Sequence, residues 1–174
     1  MNPISSFFDA IDTFLHSGGT ILWVILFVSI TLWCLLAERL LFFKLVYPAL
    51  RLQWLSEWEQ RSDKVSQSAL NIRESIISEA FISMNKTLPI IKMLIKLCPL
   101  LGLLGTVTGM IHVFDVLAVT GTGNARAMAS GVSHATIPTM AGMVIAISGL
   151  YFNKLIEERV SNETHQLADL LKYH

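Results

Sequence analysis

Apolar residues fall in three long runs, separated by a stretch in which apolar positions recur at helical spacing. The first run, Gly18 to Ala37, has no charged residue. The second runs from Leu97 to Val119 and contains His112 and Asp115; the third runs from Ala127 to Phe152 and contains His134. Each reaches the roughly 20 residues that a helix needs to cross a bilayer. The pattern predicts an all-α membrane protein with three transmembrane helices. Its expected parts are an N-terminal amphipathic segment (1–17), a first span with its extension (18–43), a helical loop (44–96), a second span (97–119), a short connection (120–126), a third span (127–152) and a C-terminal helix (153–174).

The weaker periodicities fill in the remainder. Over residues 3–16, Phe7, Phe8, Ile11, Phe14 and Leu15 share one face, which suits a short helix lying in the membrane interface. Gly18-Gly19 separates it from the first span, where Glu38 and Arg39 mark the headgroup level. In the loop, Leu52, Leu55 and Trp58 recur at spacing three, and Ile72, Ile76, Ile77, Ala80 and Phe81 follow a 3.6 period. Unstructured loops of this length are rare, so the two patterns predict a helical hairpin around the polar residues 61–68. Pro89 opens a further amphipathic piece leading into the second span. Leu155, Ile156, Val160, Leu167, Leu170 and Leu171 give the tail an apolar stripe. It predicts that the third span continues as a helix partnered by the loop helices of the same or a neighbouring chain.

Charge sets the topology. Residues 1–17 carry no Lys or Arg, residues 38–96 carry nine, 120–126 carry Arg126 alone, and the tail carries Lys154, Arg159 and Lys172. This asymmetry places the N-terminus outside and the loop and C-terminus in the cytoplasm. The segment ahead of the first span lacks the basic residues and cleavage site of a signal peptide. Only 15% of the 174 residues are charged, mean hydropathy is +0.57, and 13 basic residues balance 13 acidic ones. A neutral chain offers no electrostatic case for nucleic acid. Cys34 and Cys98 have no metal-ligand spacing and read as small apolar residues. No H-E-x-x-H, Walker A, G-x-S-x-G or Cys/His cluster occurs, so neither an enzyme nor a cofactor is expected.

The chemistry lies inside the second and third spans. Gly102, Gly105 and Gly109 in one, and Gly131, Ala135 and Gly142 in the other, are the small residues that let helix backbones approach closely in lipid. Gly131, Ala135 and Thr139 form one helical row of the third span, with Gly142 and Ala146 in a second. Pro99 and Pro138 each remove a backbone hydrogen bond, which membrane helices tolerate when buried in protein. Thr106 and Thr139 fall in the middle third of the bilayer, while His112 and His134 lie about 10 Å below its outer surface. Two readings stand for the threonines: bonding back to their own helix, or lining an ion path. Asp115 either snorkels, pairs with His112 or Arg126, or belongs to the path; His134 has a functional or helix-bridging role. Gly105-Thr-Val-Thr-Gly-Met-Ile is echoed by Pro138-Thr-Met-Ala-Gly-Met-Val, which a low-complexity apolar background produces readily. A single helical hairpin cannot enclose a pore, so a ring of several chains is the simplest construction.

Cys98-Pro99-Leu-Leu-Gly-Leu-Leu-Gly-Thr106-Val-Thr-Gly-Met-Ile-x-x-Phe114, followed by Gly131-Val-Ser-x-Ala-Thr-Ile-Pro-Thr139-Met-Ala-Gly142, resembles the MotA/TolQ/ExbB proton channel family, nearest its ExbB branch. The resemblance is strong over residues 85–160. It implies a homo-oligomeric, pentameric ring in a bacterial inner membrane around single-span partners of the ExbD type. Proton flow through such a ring would energise a TonB-like protein for outer-membrane uptake. The proton-accepting carboxylate would belong to the partner and would be faced by Thr106 and Thr139. The glutamate that many members carry five residues before the second threonine is His134 here, so His134 and His112 are candidates for a substitute relay. A TolQ-like role in the Tol-Pal system and a non-conducting scaffold are the competing expectations.

Overall fold

The computed structural model describes residues 19–60, 66–120 and 125–171. The amphipathic segment expected over residues 3–16 lies outside them. The elements are α1 (Gly19–Leu41), a π-helical segment (Phe42–Val46), α2 (Tyr47–Glu59), α3 (Gln67–Asn85), α4 (Leu88–Thr120) and α5 (Ala125–Leu170). Three of these helical stretches are long and apolar enough to cross a membrane.

Local sequence explains where the helices begin. Gly19, the first residue of α1, takes φ +65, a left-handed conformation that glycine adopts at little cost. Pro48 sits in the first turn of α2, where its missing N–H costs nothing. Ser66 caps α3 by accepting from the Ser68 N–H at 3.2 Å. α4 and α5 run for 33 and 46 residues with Pro99 and Pro138 inside them. At about 1.5 Å per residue, α5 is more than twice as long as the roughly 30 Å hydrocarbon layer is thick. It therefore takes in the residues of both the third span and its predicted continuation.

The chain divides into two units. The first comprises Met1–Leu32 and Met93–Gly149; the second comprises Trp33–Lys92 and Leu150–His174. Within the first, Leu22 and Ile25 of α1 are buried beneath Ile21, Leu26, Leu101, Ile137, Ala141 and Ile145. α1 thus rests on one flank of the α4–α5 pair.

In the second unit, Trp54 and Trp58 of α2, Ile76, Ala80 and Met84 of α3, and Ile156, Val160 and Leu167 of α5 are buried. Leu155 and Leu170, expected on the same stripe, are exposed. Each is the immediate neighbour of a buried residue and is turned about 100° away from it. Burying each of Ile156 and Leu167 contributes about 1.5–3 kcal/mol. Polar clasps add direction. Arg73 of α3 donates to the carbonyls of Ala168 (2.7 Å) and Leu171 (2.8 Å) at the end of α5. Arg51 of α2 pairs with Glu163 at 3.4 Å. Burial, and then the charge of Glu163, push the Tyr47 hydroxyl up to about 12.

Arg39 was expected to mark the headgroup level. Its side chain turns into protein, with only 3% of the residue exposed. It donates to the carbonyls of Ser83 (3.0 Å) and Met84 (3.3 Å) and to Thr87 Oγ1 (2.6 Å). The cause is the end of α3, whose last carbonyls have no intrahelical partner and attract a cation.

Candidate ion-path site

α4 and α5 meet along a seam of small residues. A side chain added at Gly102 would strike the Pro138 carbonyl and Thr139 Cα, both at 2.9 Å. At Gly109 it would meet Ala135 Cβ at 2.7 Å, at Gly131 Val113 Cγ2 at 2.5 Å, and at Gly142 the Cys98 carbonyl at 2.5 Å. The seam alternates steps of three and four residues, the spacing that keeps one face of a helix against a neighbour. Gly142 therefore belongs to the same seam as Gly131 and Ala135, where the sequence suggested two rows. Gly149, against Ile95 and Leu32 at 3.0 Å, extends it by a further seven residues. That seven-residue step from Gly142 was the signal available for it.

Pro138 is enclosed by this arrangement. Its ring lies where a Gly105 side chain would be, 2.5 Å from the position of a Cβ. The two segments that echo each other in sequence are thus the two that cross. Gly105 faces Pro138, and Thr106 touches Thr139.

The two threonines form the polar centre of the seam. Thr139 Oγ1 donates to the Gly102 carbonyl at 2.9 Å, from one helix to the other. The hydroxyls of Thr106 and Thr139 are in direct hydrogen-bond contact. Thr106 also reaches the Gly102 carbonyl of its own helix at 3.4 Å. Thr106 therefore takes the first of the two readings, bonding back to its own helix, and also meets a hydroxyl on the next. Other hydroxyls in these spans do less: Thr108 bonds only to Leu104 and Gly105 carbonyls, and Thr136 only to Ser133. Both members of the central pair are partly buried.

The histidines lie elsewhere. His134 precedes Ile137, Ala141 and Ile145 by three, seven and eleven residues and so shares their face, which packs against Leu22 and Ile25 of α1. His112 follows Leu101 by eleven residues and has the same orientation on α4. Both histidines and Asp115 are exposed. Four residues were expected to line one path. The structure brings Thr106 together with Thr139 and leaves His112 and His134 exposed on their helices. Pro99 is half-buried in α4. The side chain of Arg126 is outside the described residues.

At the far end of α5, in the second unit, Asn153 is 3% exposed and donates to Glu157 Oε1 at 3.1 Å. Lys92 donates to the same oxygen at 2.6 Å. Sequence reading had passed over Asn153, because a lone amide past an apolar run carries no signal of its own.

Chemically, two hydroxyls and one carbonyl offer protons and lone pairs that can be exchanged, but none of them titrates near neutral pH. The cluster can hand a proton on or steady one nearby; it cannot store one. Among the described residues no group of three or more His, Cys, Asp or Glu is placed to hold a metal.

Comparison with known proteins agrees with this picture. The sequence model of the MotA/TolQ/ExbB proton channel family matches residues 45–169. An ExbB-like biopolymer transport protein of Synechocystis is 38% identical over 98 residues, 55% of this chain and 39% of its own length. The biopolymer transport protein exbB1 of Vibrio cholerae is 33% identical over 90 residues, 51% of this chain and 40% of its own length. An ExbB homologue of Methanothermobacter thermautotrophicus is 24% identical over 202 aligned positions, 99% of this chain and 71% of its own length. The chain thus spans about two fifths of the first two relatives. No solved structure matches it. With the family's match covering both helices of the threonine seam, this chain is a multi-pass membrane protein that belongs to the MotA/TolQ/ExbB proton channel family.

Proposed function

We propose that the chain is the ring-forming subunit of an inner-membrane proton channel that, with a single-span ExbD-type partner, energises TonB-dependent uptake across the outer membrane. The observation that carries this reading is the hydroxyl pair Thr106–Thr139 bridged to the Gly102 carbonyl between two neighbouring membrane helices. An untitratable polar cluster at such a depth is expensive in lipid and fits a neighbour that does titrate. In this reading a carboxylate of the enclosed partner takes up and releases the proton, and the threonines steady it on the way.

The Lys and Arg distribution supports an N-terminus in the periplasm, with the loop 44–96 and the C-terminal part of α5 in the cytoplasm. Several copies, five in this reading, close the ring. His112 and His134 act nearer the periplasmic mouth, apart from the threonine pair, as a relay. Purifying the chain with its co-encoded single-span protein, then recording acidification of vesicles with a pH-sensitive dye, tests the reading. Flux that disappears when the partner's intramembrane Asp becomes Asn is expected. A complex that carries no protons would leave a scaffold role.

A further inference from the structure

We propose that Arg39 is a positioning residue for energy transmission, gripping from α1 the end of α3 and the foot of α4 so that proton flow is converted into work. The proposal rests on the channel reading above.

Three observations support it. Arg39 is almost wholly buried, and all three of its acceptors lie 44 to 48 residues further along the chain, at Ser83, Met84 and Thr87. Thr87 directly precedes α4, and its carbonyl accepts from the Ile91 N–H at 3.1 Å, within the first turn of that helix. The guanidinium therefore joins α1 to the entry of the second span through side-chain and main-chain atoms at once. The Glu38 carboxylate forms an ion pair with the guanidinium, 3.1 Å from Nε, but accepts no hydrogen bond from it.

The element carrying the grip is itself unusual. The guanidinium carbon of Arg39 stands 4.9 Å from the centre of the Phe42 ring, the first residue of the π-helical segment. Arg159 of α5 stands 5.8 Å from the next ring, Phe43. Two cation–aromatic contacts thus fall on the first two residues of the one departure from α geometry in the described helices, and π turns are frequent at functional positions. Every one of these contacts lies within the second unit, while the threonine seam lies in the first. Loss of Arg39 should therefore spare the path and loosen what the path drives.

Lysine cannot reproduce the grip, because a single ammonium lacks the planar fork that reaches three acceptors. Arg39→Lys and Thr87→Val are compared with the wild type in the complete complex, measuring proton flux in vesicles and iron-siderophore uptake in cells. Thr87→Val keeps the charge and both carbonyl bonds, so it serves if Arg39→Lys fails to reach the membrane. Removing a charge-assisted bond of this kind corresponds to about a tenfold or greater loss of the gripped arrangement. Uptake per proton is expected to fall about tenfold in Arg39→Lys, and less in Thr87→Val, with flux held within about twofold. Unchanged uptake in both variants overturns the proposal. So does a parallel fall of flux and uptake in an assembled complex, which would mark Arg39 as structural support alone. A wild-type complex without flux removes the channel reading and this proposal with it.

Discussion

At the scale of single residues, the threonine pair makes the sharpest prediction. Thr139→Val removes the donor to the Gly102 carbonyl and the partner of Thr106 while keeping shape. Proton flux in vesicles should fall about tenfold or more, because a polar group at that depth loses its only cross-helix bond, whereas Thr139→Ser should stay near the wild type. His134→Ala separates the two classes of site residue. If the relay holds, TonB-dependent growth slows; unchanged growth would remove His134 from the path. The threonines stood out in the sequence because both are hydroxyls at mid-depth of apolar runs rich in small residues. Their contact could not, since a hydroxyl three or four residues from a carbonyl of its own helix has a local partner whatever lies opposite. The partners of Arg39 were out of reach for a related reason. Hydropathy along the chain sees a charge at the end of an apolar run, and the α3 terminus that receives it lies more than forty residues away.

At the scale of elements, the seam between α4 and α5 should be the least forgiving part of the molecule. Gly142→Val would drive side-chain atoms into the Cys98 main chain, which cannot step aside. The cost is about 1–3 kcal/mol by analogy with overpacked cores, read as a lowered midpoint of thermal unfolding in detergent. Gly19→Ala offers a contrast, with nothing within 4 Å of the added carbon but a left-handed φ. It should cost about 1 kcal/mol through the backbone alone. Helix identity and the small-residue faces were legible because glycine spacing is read directly from the chain. The merging of two rows into one seam was not, because it depends on how the partner helix runs across both.

At the scale of the whole molecule, the cytoplasmic reading of the C-terminal part of α5 predicts a weak sensitivity to acid. The Lys92 ammonium hydrogen-bonded to Glu157 holds that carboxyl below its ordinary value, against the opposing effect of burial. Its contribution to stability is complete above the unfolded carboxylate's pKa of about 4.3 and is lost as pH falls through the lower folded value. Both side chains are partly solvated, so Glu157→Gln should cost less than about 1 kcal/mol at pH 7, with the difference vanishing in acid. The count of Lys and Arg was enough to predict a topology. It could not tell that Arg39 and Arg73 are each engaged by the last carbonyls of another helix, since composition carries no partner. The π-helical segment had no signature in Phe42–Val46 either, yet it bears on how such a chain can change in length. A π turn is an α turn holding one surplus residue, so deleting a single residue there would restore regular winding without sliding α1 or α2 along its neighbours. The same deletion within the α4–α5 seam would put every later glycine out of step. Insertions and deletions among relatives should therefore collect at this joint, where the chain can gain or lose a residue while the helices on either side keep their register.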